Sequence, residues 1–247
     1  MLHDVMIVMK TNGNCSRRLN LGCGPRAPSD WVNVDGSWNG WLAAHKVVRT
    51  CLEKVGIVDS NPQGHWNFVP LVHDLTKPLP FSENSFSVIY GSHVLEHLYL
   101  TDARRLLSEC ERILKPGGVI RLVVPDLYHM VDTYLKNKMG QIFPVNGTAT
   151  PADYLNERLG FRLPNPTEGN ILRKVYTSWK DFHSHKWMYD SESLINYLRL
   201  AGFEHVSHKQ FLESDVEGIA DVEEAERVLN GAGICVEGTK TKLLLTR

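Results

Sequence analysis

The 247-residue sequence predicts an α/β fold built on a mostly parallel sheet, and three observations carry that expectation. Short β-like runs alternate with helical patterns through the first half of the chain, which is the signature of a parallel sheet covered by helices. The first β-like run ends in the glycine turn Leu19-Asn20-Leu21-Gly22-Cys23-Gly24, and such turns sit at the strand ends where open α/β sheets meet their ligands. Hydrophobic residues make up 43% of the chain and charged residues 22%, which are values of a packed globular protein. The length suits a single domain over 1–247.

Residues 18–21, 31–35, 68–73, 86–90 and 119–124 read as strands. Between them, 41–55 and 101–114 read as helices. The second helix places Ala103, Leu106, Leu107, Cys110, Ile113 and Leu114 on one stripe, and Pro116-Gly117-Gly118 ends it. After Asp126 the regularity fades, and 138–190 is expected to form a substrate-side insertion over the ligand edge of the sheet. Pattern returns with a helix at 191–201, a strand at 204–211, an acidic helix at 222–229 and a last strand at 240–245.

A formal net charge of −1, with Lys and Arg scattered rather than clustered, gives no electrostatic footprint for nucleic acid and favours a small-molecule substrate. The five cysteines are odd in number, widely spaced and without a Cys-x-x-Cys pair, so free thiols in a reducing compartment are expected. No apolar run approaches the roughly 18 residues of a membrane span. The expectation is therefore a cytoplasmic protein without membrane contact.

The glycine turn alone is a weak signal. With Ala27 it satisfies G-x-G-x-x-A, the pattern of a nicotinamide dehydrogenase. That reading requires a helix N-terminus after the turn to hold a pyrophosphate, whereas Pro25 and Pro28 interrupt it. Asp35 follows Gly24 by 11 residues, against about 20 in the dinucleotide fingerprint. Six extended residues, 25–30, span roughly 20 Å, enough for a parallel return without a helix. Asp35 would then face the turn and accept hydrogen bonds from a ribose diol, unless it is a turn acid before Gly36. Asp74 ends the next strand, where it can accept from an exocyclic amine or cap the turn before Pro78. Two acids beside one glycine turn describe a nucleoside site.

With these residues in view, the sequence resembles the class I SAM-dependent methyltransferases, in particular the methyltransferase type 11 group. The resemblance rests on five segments in the family's order: 19–25, Trp31-Val32-Asn33-Val34-Asp35, 73–81, 85–97 and Leu114-Lys115-Pro116-Gly117-Gly118. It implies a Rossmann-like sheet of seven strands with the last antiparallel, and S-adenosyl-L-methionine (SAM) across the strand carboxyl ends. By matching position, it implies that Gly22, Cys23 and Gly24 line the amino-acid end of SAM. Asp35 with Gly36 would meet the ribose, Asp74 with Leu75 the adenine, and Ser92 or His93 the methyl side. The helix the family places after the glycine turn is missing.

Methyl transfer to a hydroxyl needs alignment and a general base. His93, His183 and His185 are the candidate bases, with Tyr176, Trp179 and Trp187 as candidate walls of an acceptor pocket. His93-Val94-Leu95-Glu96-His97 formally matches the H-x-x-E-H zinc pattern. It falls on a turn after a parallel strand rather than within a long helix, and the resemblance accounts for it without metal, so no metal is expected. The resulting expectation is methylation of a small hydroxyl or amine acceptor, a sugar or a specialised metabolite. Two other readings stay open: aminocarboxypropyl transfer or cyclisation of SAM, releasing methylthioadenosine, and a catalytically silent SAM-fold partner.

Overall fold

The computed structural model describes residues 17–58, 66–139, 150–160 and 184–242. Seven strands form one sheet: β1 (Arg18–Leu21), β2 (Trp31–Asp35), β3 (Leu71–Val72), β4 (Phe86–Ser92), β5 (Leu114–Val124), β6 (Phe203–Lys209) and β7 (Ile234–Lys240). Their order is β3-β2-β1-β4-β5-β7-β6. The strands from β3 across to β5 run parallel, and β7 runs antiparallel to both β5 and β6. This is the Rossmann-like α/β sheet expected from the sequence. The strand order reverses direction between β1 and β4, so the carboxyl ends of these two strands frame the crevice where such sheets bind ligands.

Side-chain alternation along the strands fills two cores, one on each face. Leu19, Ile89, Ile120 and Leu122 pack on one face beneath α3 (Leu100–Ile113) and α6 (Ser191–Leu200), whose Leu107, Cys110, Leu194 and Leu198 are buried there. Trp31, Tyr90, Val123 and Cys235 point to the other face and meet Val216, Ile219, Val222 and Val228. Arg121 has the parity of Val119 and Val123, and it is wholly buried there against Glu223.

Three further helices are α1 (Trp38–Ala44), α2 (Lys46–Lys54) and α4 (Leu127–Lys138). The expected helix at 41–55 is thus two helices that meet at His45, whose backbone (φ −122°, ψ 59°) is not helical. β5 begins at Leu114 rather than Val119. Leu114 pairs with Phe86 and Val119 with Val88 across a register shift, so the Pro116-Gly117-Gly118 turn is an irregularity carried inside the strand, with Gly117 at φ +78°. Only Leu71–Val72 of the expected 68–73 strand is paired. Among the described residues the last strand is Ile234–Lys240, with the fully buried Cys235 and Val236 as core residues; of the strand expected at 240–245, residues 243–245 lie outside the described residues. The acidic helix shrinks to α7 (Ala225–Val228), and α5 (Pro151–Arg158) falls within the expected insertion.

The connection from β1 to β2 contains no helix, as the short spacing required. Two asparagines hold it. Asn20 Nδ2 donates to Arg26 O (3.1 Å) and to Asn33 Oδ1 (3.0 Å), while Asn33 Nδ2 donates to Pro28 O (2.9 Å). The inward side chains of β1 and β2 thus satisfy carbonyls of a loop that has no ladder of its own. Cys23, Cys51, Cys110 and Cys235 are free thiols; Cys15 lies outside the described residues. None of the described helices is long and apolar enough to cross a membrane.

Candidate active site at the carboxyl edge of the sheet

β1 is paired with β2 on one side and β4 on the other, with Leu21 opposite Val34 and Gly91. The register therefore brings Gly22, Asp35 and Ser92 to one edge. Gly22 takes φ +60°, and a Cβ there would fall on the Val94 side chain. Glycine at this position satisfies both the backbone and the close approach of the β4 exit. Gly24 also needs a positive φ (+55°), but a Cβ there would meet nothing within 4 Å, so the outer side of the turn is open. Between them, the Cys23 amide donates to Val34 O (3.1 Å). Burial, reinforced by the nearby Asp35 charge, pushes the Cys23 thiol up to about 12, which leaves it inert as a nucleophile.

Asp35 carries the turn role weighed for it before Gly36, and a further bond to the glycine turn. Its Oδ2 accepts from the Gly24 amide (3.0 Å) and its Oδ1 from the Ser37 amide (2.7 Å). One buried carboxylate thus ties the glycine turn to the start of α1, where Ser37 caps Gly40 (3.2 Å). A carboxylate oxygen has two acceptor sites, so one site per oxygen is left after these bonds. Gly36 is required by close packing, since a Cβ would lie 2.5 Å from His73 O.

Asp74 is exposed, and its Oδ1 accepts from both the amide (2.9 Å) and the hydroxyl (2.8 Å) of Thr76. Partial desolvation pushes its carboxyl up, but these bonds and the charges of Lys77 and His73 outweigh that and hold it below the usual carboxylate range. The turn-forming role weighed for Asp74 is therefore present, with Oδ1 occupied. Leu75 is buried in the main core.

The exit of β4 carries the densest polar cluster. His93 sits at φ +54°, a conformation that is costly for a residue with a side chain. Its amide donates to Val123 O (2.9 Å), its Nε2 lies 3.2 Å from Arg227 O, and its Nδ1 lies 3.4 Å from Glu96 Oε1. Burial lowers the His93 pKa to about 4, so the imidazole is neutral at pH 7 and a weak base. Glu96 is fully buried, and neither carboxylate oxygen has a hydrogen-bond partner among the described residues. Desolvation pushes its carboxyl up to about 8.

The segment after residue 183 docks on this exit. The amides of Lys186 (2.6 Å) and Trp187 (3.3 Å) both donate to Glu96 O, and Lys186 Nζ donates to His97 O (3.0 Å). His97 Nδ1 lies 3.3 Å from Ser184 O, and the His97 and His185 rings are 5.1 Å apart. Of the acceptor-side candidates, His185 thus joins the β4 exit and Trp187 stands beside it, 42% exposed; His183, Tyr176 and Trp179 lie outside the described residues. Two participants were given no role from the sequence: Glu96, read there only as part of the H-x-x-E-H pattern, and Arg227. Glu96 had a signal, an acid inside the apolar run Val94-Leu95. Arg227, whose Nη1 donates to Ser92 O (3.3 Å), had none, because it reaches the site from the far end of the chain.

Residues 19–122 match the family model described as a methyltransferase domain. The chain is 28% identical over 148 residues to a demethylmenaquinone methyltransferase of Clavibacter sepedonicus, covering 57% of this chain and 49% of that protein. It is 26% identical over 126 residues to a "probable S-adenosylmethionine-dependent methyltransferase" of Mycolicibacterium smegmatis, covering 50% and 44%. The chain spans about half the length of these curated relatives. Among solved structures, a SAM-dependent methyltransferase from Mesorhizobium loti aligns with a TM-score of 0.43 at 21% identity, over 91% of this chain and 90% of that one.

An α/β sheet of this order, with a glycine turn and an acid at adjacent strand ends, has the arrangement in which Rossmann-like sheets meet their ligands at the carboxyl edge. Residues 19–122 match a methyltransferase domain, of the kind whose cofactor is S-adenosyl-L-methionine, and over about half its length the chain is similar to curated methyltransferases.

Proposed function

We propose that this chain transfers the methyl group of SAM to a hydroxyl or amine of a small-molecule acceptor. The observation that carries the reading is the single edge on which an open glycine turn, the Asp35 carboxylate and the β4 exit meet. The room left outside Gly24 and the acceptor sites remaining on Asp35 suit a ribose bearing a methionine arm. In this reading Gly22, Cys23 and Gly24 offer backbone to the amino-acid end, Asp35 and Gly36 take the ribose, Asp74 and Leu75 border the adenine, and Ser92 faces the methyl side.

When bound, SAM supplies an electrophilic methyl group on a sulfonium, so the protein contributes alignment and proton acceptance. The acceptor oxygen or nitrogen forms its bond to carbon as the carbon–sulfur bond breaks, leaving S-adenosylhomocysteine and one proton to be removed. His93 suits that last task poorly, being held at low basicity with both nitrogens turned into the protein. His185 is half-buried, and desolvation lowers its pKa, so it is neutral at pH 7 as a proton acceptor must be. It stands with Trp187 on the segment packed against the β4 exit, which supports assigning 138–190 to the acceptor side. The near-neutral charge favours a small acceptor over nucleic acid.

His185→Ala and Trp187→Ala are expected to lower turnover at least about tenfold while leaving SAM affinity within about 0.5 kcal/mol, as for changes without a direct cofactor contact. Steady-state kinetics paired with calorimetry of SAM binding checks this. Unchanged turnover, or a loss of SAM affinity as large as the loss of rate, would remove the segment from the acceptor side.

A further inference from the structure

The right-handedness of parallel crossovers fixes the face of the sheet on which each connecting helix must lie. α3 links β4 to β5 and packs with Leu107 and Cys110 on one face. β1 and β2 follow each other in the opposite direction along the order β3-β2-β1-β4-β5, so a helix between them belongs on the other face. The β1–β2 connection contains no helix. That face is covered instead by Val216, Ile219, Val222 and Val228, which meet Trp31, Tyr90 and Val123 and come from the connection between β6 and β7. A segment from the far end of the chain thus fills the place of the missing crossover helix.

A helix after a glycine turn offers its first amides to the anionic end of a ligand. Without that helix the donors are lost, and the replacing segment brings guanidinium groups to the same edge. Arg26 stands two residues past Gly24, with its amide on Cys23 O (3.2 Å). Its Nε donates to Asp221 O (3.1 Å) and its Nη1 to Glu224 Oε1 (3.2 Å). The other oxygen of Glu224 takes Arg227 Nε (2.8 Å), and Arg227 Nη1 donates to Ser92 O (3.3 Å). This chain of contacts runs from the glycine turn to the β4 exit, across the two strand ends that frame the crevice. One carboxylate between two guanidiniums leaves a net positive charge there. Each guanidinium has five N–H donors, of which the contacts among the described residues use Nε and one N–H of Nη1. Both side chains are partly exposed, 44% for Arg26 and 35% for Arg227. Granted that SAM lies at this edge, as proposed above, we infer that Arg26 and Arg227 bind its methionine carboxylate. The remaining fork donors match the two oxygens of a carboxylate, and the charge supplies what the neutral amides of Gly22–Gly24 lack. Residues 221–227 thereby become part of the cofactor site.

The test measures binding alone, without acceptor. The full-length protein is titrated by calorimetry with SAM and with decarboxylated SAM, which keeps the nucleoside, the sulfonium and the amine and lacks only the carboxylate. Wild type should prefer SAM by at least about tenfold, the lower end for hydrogen bonds to a charged group, because both arginines are partly exposed. Arg26→Met and Arg227→Met should each reduce that preference by at least about threefold, and the double variant should abolish it while binding decarboxylated SAM within about twofold of wild type. The wild-type comparison needs no substitution, so it decides the matter even where a variant fails to fold. Equal binding of the two ligands by wild type, an undiminished preference in the double variant, or an equal loss of both ligands, as a purely structural role would give, would each overturn the inference and leave SAM binding at the edge intact. Binding of neither ligand to wild type would overturn the cofactor reading and this inference with it.

Discussion

Arg121→Met is expected to cost about 3–5 kcal/mol of folding stability, the range for breaking a buried ion pair from one side. Arg121 is the largest fully buried side chain of the sheet. It donates from Nε and Nη2 to the two oxygens of Glu223 (2.8 and 3.0 Å) and from Nη1 to Glu237 (3.1 Å). The carbonyls of Glu213 and Gln210 accept its remaining protons, each at 2.9 Å. One guanidinium in β5 thereby holds β7 and the whole 210–223 segment against the sheet. Methionine fills similar volume but leaves the Glu223 carboxylate buried without its cation. The Leu212 amide (2.6 Å) and the Cys235 thiol (3.5 Å) are neutral donors and compensate little of that. Urea unfolding followed by tryptophan fluorescence measures the loss. Adding Glu223→Leu to Arg121→Met should restore most of it, since an apolar pair removes the orphaned charge. A single variant within about 1 kcal/mol of wild type would mean the network contributes no more than an exposed ion pair.

Asp35→Ala should weaken SAM binding by about 1.5–3 kcal/mol, the usual value of hydrogen bonds to a charged group, or roughly 10- to 150-fold in Kd. Two losses combine. The ribose hydroxyls lose their acceptor, and the Gly24 and Ser37 amides lose the carboxylate that sets the turn against α1. Asp35→Asn separates them, because the amide oxygen can still serve one of these donors. It should bind SAM more tightly than Asp35→Ala and less tightly than wild type. Calorimetry on the three proteins gives the order directly, and equal affinity of wild type and Asp35→Ala would take Asp35 out of the cofactor site.

The parts of the fold that were legible are those whose signal is local. β1, β2 and β4 pair apolar residues with a turn at a definite place, and α3 shows its buried stripe from Ala103 to Ile113 in the spacing of the residues themselves. The missing crossover helix was legible from chain length and two prolines. What was hidden depends on partners distant in sequence. Leu114 joins β5 only because Phe86 stands opposite it; the following Pro-Gly-Gly otherwise reads as a stop. β7 at Ile234–Lys240 went unread because its core residues, Cys235 and Val236, alternate weakly in sequence and are buried by both sheet neighbours. In the site, glycines and acids declared themselves by spacing, whereas the convergence of Glu96, His97 and His185 required two segments to meet. No periodicity records such a meeting. Asp35 was found by position and its turn bond to Ser37 was within the readings weighed for it, but its bond to Gly24 was not, since it runs to a backbone group whose direction depends on the fold of the glycine turn.

In the proposed function SAM binds at the carboxyl edge and gives up its methyl group there. The most direct measurement is incubation of the protein with SAM and a panel of small hydroxyl and amine acceptors, followed by identification of the nucleoside formed. S-adenosylhomocysteine that accumulates only when an acceptor is present, in step with a methylated product, is the predicted result. Methylthioadenosine in its place, or no binding of SAM at millimolar concentration, would contradict it.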